Sequence, residues 1–146
     1  MEDWIELQQS ILRVAGVAVT VAVLVGIFAL PGAAVSPTFQ VAVSPNAIKH
    51  GQTTTIRVGV ANGVPNCVYT VRITVTDPNS ISHIKTVTFT TSGRGNGATT
   101  TTYPDTFSNA PDTNTRGTYQ VAAMFKCGAQ PYSTPAATAT FKVKRP

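Results

Sequence analysis

Glutamate disappears from this chain after residue 6. Only Glu2 and Glu6 occur, and from Pro37 onward the acidic side chains are Asp77, Asp105 and Asp112 alone. Charged residues are 12% of the 146, and there are two histidines and two cysteines. Each shortage excludes something. Catalysis needs titratable groups near enough to tune one another. The few present are scattered, and no HExxH, GxSxG, GxGxxG or P-loop pattern occurs. No catalytic residue, enzyme activity or cofactor is expected. The aspartates lack EF-hand spacing, and the cysteines lack a CxxC pattern or a histidine cluster, so no metal site is expected. No N-x-S/T sequon occurs, whereas abundant threonine leaves O-glycosylation open.

What charge there is lies unevenly. Before Pro37 the charged residues are Glu2, Asp3, Glu6 and Arg13; from Pro37 onward ten Lys and Arg face three Asp. A basic domain can meet anionic lipid, polysaccharide or nucleic acid. The plainer reading, adopted at this point, is a surface kept soluble by its net charge. Arg94 and Arg116 stand in loop-like sequence without the aromatic pattern of single-strand binders, so nucleic acid is not an expected partner. His50, in Lys49-His50-Gly51, and His83 read as solvated loop residues.

Residues 11–30 form the one long hydrophobic run, ILRVAGVAVTVAVLVGIFAL, with Arg13 its single charge. As a helix it extends about 30 Å, the thickness of a bilayer core. Pro31-Gly32 then stops it. Three roles compete: a signal peptide cut near Gly32, Ala33 and Ala34; a membrane anchor with Trp4 at the interface; or an assembly helix packed against copies of itself. Ala15, Ala18, Ala22, Gly26 and Ala29 recur at steps of three and four. They make a small-residue face that allows close helix–helix approach, so association through that face is expected.

From residue 37 to 146 the dominant period is two, and 23 threonines over the whole chain suit half-buried pleated surfaces. Phe39, Val41 and Val43 alternate with polar or small residues. So do Ile56, Val58 and Val60; Val71, Ile73 and Val75; Val87 and Phe89; Tyr119, Val121, Ala123 and Phe125; and Phe141 and Val143. The Thr99–Thr102 run ending at Tyr103 supplies a further strand. Turn sequences separate them: Ser44-Pro45-Asn46, Asn62-Gly63, Asp77-Pro78-Asn79, and Ser92 to Gly97, whose glycine stretch Gly93 to Gly97 reads as a flexible loop. Seven short strands with one apolar face each predict a mainly β, two-sheet sandwich over 37–146, preceded by one long hydrophobic helix and junction over 1–36.

Gly117-Thr118-Tyr119-Gln120-Val121 resembles the tyrosine corner that opens strand F of immunoglobulin-like domains. The resemblance runs over roughly 37–146, with Thr115 where the family pattern begins in Asp. Tyr119 is then expected to pack its ring inward and send its hydroxyl to a backbone partner. The two cysteines, by themselves, fit either a disulfide or two buried thiols. The immunoglobulin-like topology implies the disulfide: Cys67 precedes strand C, Cys127 follows strand F, and those strands are antiparallel neighbours. The bridge differs from the B–F core bridge of antibody domains.

A hydrophobic N-terminal helix with a β-sandwich head resembles the plan of archaeal type IV pilins and archaellins, and Ile5-Glu6-Leu7 resembles the acidic start of many bacterial pilins. That resemblance implies a structural subunit of a cell-surface filament, self-associating and membrane-inserted through its helix at least before assembly. The alternative is a membrane-anchored accessory or binding subunit with an outward domain.

Overall fold

The computed structural model describes residues 35–146. The hydrophobic run and its face of Ala15, Ala18, Ala22, Gly26 and Ala29 lie outside the described residues. Residues Ser36–Pro146 form one compact unit. Its regular structure is eight strands: β1 (Thr38–Ser44), β2 (Ala47–Lys49), β3 (Thr54–Ala61), β4 (Val68–Thr76), β5 (Ser82–Thr90), β6 (Gly97–Tyr103), β7 (Gly117–Cys127) and β8 (Ala137–Lys144).

Seven strands were expected; the eighth is β2. Three residues are too few to show alternation, and only Ile48 among them is buried. Its origin lies in Pro45. Proline has no N–H to continue a ladder, so β1 pairs with β3 only as far as Ser44 opposite Thr55. The chain then crosses to the other sheet and pairs parallel with β8. Thr54 fixes the crossing by donating its hydroxyl to the Pro45 carbonyl at 2.7 Å.

The sheets have strand orders β1-β3-β6 and β2-β8-β7-β4-β5. All pairings are antiparallel except β2 with β8. With β4 as strand C, β7 as F and β8 as G, this is an immunoglobulin-like sandwich. The turns fix two ends. At the entry end β1 and β4 begin and β3 and β7 finish; at the far end β4 and β8 finish and β7 begins.

Inward positions bury an apolar core: Ile56 and Val58 from one sheet meet Val71, Ile73, Val121 and Ala123 from the other, none more than 1% exposed. Aromatic rings close both ends. Phe39 stacks on Phe125 at 4.7 Å and Tyr69 on Phe89 at 5.8 Å at the entry end. At the far end Tyr119 stacks on Phe141 at 4.8 Å, and Tyr103 meets Phe107 edge-on at 5.1 Å. Each such pair adds to the area it buries.

The two far-end tyrosines differ in one bond. The Tyr119 hydroxyl donates to the Thr115 carbonyl at 3.0 Å. The Tyr103 hydroxyl finds no partner among the described residues. Losing a made bond costs more than losing an unmade one. Tyr119→Phe should therefore destabilise by about 1 kcal/mol, and Tyr103→Phe should be neutral or stabilising. Paired urea melts of the two variants check this. Burial raises both phenols above their ordinary value of 10.0, Tyr103 further helped by Tyr119 and by Asp77 and Asp112. The unfolded chain thus releases these protons first. Stability from them is complete below about pH 10 and is lost as pH climbs above it. A chemical-melt series from pH 8 to 11.5 should show that fall, reduced in Tyr103→Phe.

Candidate functional site

At the entry end a disulfide, a buried threonine and a close glycine–glycine approach bind the loops to one another. Cys67, just before β4, is joined to Cys127, the last residue of β7, with Cα atoms 6.0 Å apart and a sequence separation of 60. The reason is register: Tyr69 lies opposite Cys127 in the β4–β7 ladder. Thr91 is the second fastener. It is buried, its hydroxyl donates to the Val64 carbonyl at 2.6 Å, and it accepts from the Cys67 N–H at 2.9 Å. Gly95 approaches so closely that a Cβ there would collide with the Gly63 backbone, and its φ of +75° suits only glycine without strain. The Gly63 N–H donates to the Gly95 carbonyl at 2.9 Å. The Ser92–Gly97 loop, its glycine stretch expected as merely flexible, is thus tied to the β3–β4 loop by backbone bonds.

The β7–β8 loop completes this platform. The Ser133 N–H donates to the Phe125 carbonyl at 2.7 Å, and the Phe125 N–H donates back to the Ser133 hydroxyl at 3.0 Å. Between this loop and the start of β1 lies a cleft of about 280 Å³, with Pro37, Phe39, Tyr69, Pro131 and Tyr132 among its walls. Lys126 stands 5.1 Å above the Tyr132 ring. Val64 and Val68 are exposed beside it. The described platform carries cations, hydroxyls, amides and apolar groups, but no carboxylate. Such a surface can grip and pack.

The titratable cluster lies at the far end, and the sequence reading of His83 needs correction. His83 is in β5 and 4% exposed, not in a solvated loop. Its Nδ1 lies 3.0 Å from the Ser108 carbonyl, an acceptor, so Nδ1 carries the proton. Nε2 faces the Asp77 carboxylate at 3.6 Å. Ser108 also bonds Ile84 in both directions, and Asn109 donates to the Ser82 carbonyl. His83 therefore clamps the long β6–β7 loop to the edge of β5. Local sequence offered little signal: stepping back by two from Val87 reaches Lys85 and His83, and leaves apolar Ile84 on the opposite face. The neighbouring Asp77-Pro78-Asn79 turn obscured what there was. That turn is present, with Asp77 Oδ1 accepting from the Asn79 and Ile81 N–H groups, both at 2.9 Å. His50 stands in a turn and is exposed. Among the described residues no group of three or more His, Cys, Asp or Glu could hold a metal.

No protein-family model matches the sequence, and no curated protein matches it. Among solved structures, the chain is similar to the CARDB domain of a Pyrococcus furiosus protein in complex with di-metal ions, at 14% identity and a TM-score of 0.48, over 73% of this chain and 93% of that one. A β-glucosidase of Erythrobacter marinus matches at 11% identity and a TM-score of 0.53, over 75% of this chain and 15% of its own. A β-glucosidase of Listeria innocua in complex with laminaribiose matches at 13% identity and 0.50, over 74% and 16%. The chain thus spans a small part of either enzyme, and the likeness is one of fold.

Removing the bridge should loosen the platform. With the cysteines separated by 60 in sequence, Cys67→Ser with Cys127→Ser should cost about 4 kcal/mol in the chain-entropy model. Denaturant melts of the parent and double variant read this directly. A loss below about 1 kcal/mol would mean that the loop bonds alone set the geometry.

Proposed function

We propose that this chain is a non-enzymatic structural subunit of an extracellular surface filament. The hydrophobic run over 11–30 packs against copies of itself in the core, and the sandwich stands outside. The observation that carries the reading is the short interval between two unlike parts. A run long enough to span a bilayer ends at Leu30, and a compact stapled sandwich begins at Ser36. A disulfide persists in oxidising surroundings, which suits a cell-surface location. No cofactor and no nucleic acid belong to this reading. The membrane holds the helix before assembly.

Helices in a bilayer or filament core gain little hydrophobic energy from contact, so close packing must hold them together. Bulk on the face of Ala15, Ala18, Ala22, Gly26 and Ala29 would separate the backbones and remove many weak contacts at once. Ala22→Leu with Gly26→Leu should abolish filaments in negative-stain microscopy of native material, while the β-sheet circular dichroism is unchanged. Val21→Leu, on another face, should assemble. If the double variant assembles like the parent, the run serves as an anchor alone, and the accessory-subunit reading replaces this one.

A further inference from the structure

The outward face of the larger sheet has a composition that neither the fold nor filament assembly requires. Lys142 and Lys144 alternate with buried Phe141 and Val143 on β8, and Lys49 follows buried Ile48 on β2, so all three point outward. Lys49 lies directly opposite Lys144, which places their Cβ atoms about 5 Å apart. Lys142 stands two residues along the same face, about 7 Å away. Arg72, exposed between buried Val71 and Ile73 on β4, shares this face. It lies opposite Met124, whereas Lys142 lies opposite Thr118, so it stands about 20 Å along the strands from Lys142, beside outward Lys126 of β7. No outward position on these five strands holds an acid: the three Asp of the described residues all stand in turns and loops.

Like charges placed opposite one another destabilise a sheet. Guarding an edge against unwanted pairing would account for a lysine on β2. It does not account for Lys142 and Lys144 on the second strand, or for Arg72 two strands further in. Along the same face stand the hydroxyls of Thr70, Thr74, Thr118, Thr138 and Thr140, each both donor and acceptor. No aromatic residue occupies an outward strand position to stack on a base. The larger apolar groups there, Ile84 and Met124, are half-buried, which leaves little to insert into a bilayer.

We propose that the outward face of the five-stranded sheet, with Lys49, Lys142 and Lys144 at one end and Arg72 and Lys126 at the other, binds an anionic polysaccharide lying along the strands. Its carboxylates would pair with the cations and its hydroxyls with the threonines. The site stands independently of filament formation.

The full chain in detergent micelles would be titrated with labelled polygalacturonate, against neutral dextran, double-stranded DNA and phosphatidylglycerol vesicles. Saturable binding to polygalacturonate is expected, weakening steeply with salt, with dextran unbound. Lys49→Gln with Lys142→Gln and Lys144→Gln should raise Kd about tenfold or more, and Arg72→Gln alone about twofold. Arg57→Gln with Arg94→Gln removes two charges from elsewhere and should leave Kd within about twofold. Circular dichroism checks that each variant folds, and Arg72→Gln carries the test if the triple variant does not. The proposal is overturned if the parent does not bind polygalacturonate, if the Arg57/Arg94 variant loses as much as the triple, or if DNA or vesicles bind more tightly.

Discussion

The pairing of β4 with β7 is the interaction on which the rest of this domain depends. It runs from Tyr69 opposite Cys127 to Thr76 opposite Gln120 and lies in the interior of the larger sheet. Its inward side supplies Val71, Ile73, Val121, Ala123 and Phe125 to the core. Its register alone brings Cys67 within bonding distance of Cys127. Shifted by one residue, the ladder would turn every inward side chain outward and separate the sulfurs. At its other end the same ladder sets Tyr119 beneath the β6–β7 loop, where its hydroxyl meets Thr115. The two fastened ends are consequences of one ladder.

Most of this was legible because alternation is a strong signal where one face is buried. Val71-Arg72-Ile73-Thr74-Val75 could face the core in only one way. The Gly117–Val121 segment carried information about topology, and topology, not spacing, made the cysteine pair readable. What escaped did so for physical reasons. β2 has one buried residue, and one residue has no period. His83 is a polar residue at an inward strand position, tolerated because Ser108 and Asp77 face its two ring nitrogens. No local pattern announces that compensation, since its partners come from different loops. Thr91 is similar: an unremarkable threonine in sequence, it fastens the β3–β4 loop only because the fold brings residues 64 and 67 to it.

The sandwich separates its chemistry by place. Covalent and backbone loop ties meet at the entry end, where the disulfide, Thr91 and the Gly63–Gly95 approach come together. The described acids gather in far-end turns and loops, while the larger sheet's outer face carries cations and hydroxyls and no acid. Such a division suits a head that is held at one end and meets its surroundings over a broad face. The proposed filament role and the proposed polysaccharide face both draw on it, but each can fail without the other.

Hydrogen exchange on the isolated fragment 37–146, with its disulfide intact, tests the account most directly. If the fragment folds alone around the β4–β7 ladder, its slowest amides will be those of Val71, Ile73, Val121 and Ala123, released only by global unfolding. Reducing the bridge should speed exchange in the loops at residues 62–67 and 128–136 first. Uniformly fast exchange across β4 and β7, or a fragment without a cooperative melt, would contradict it.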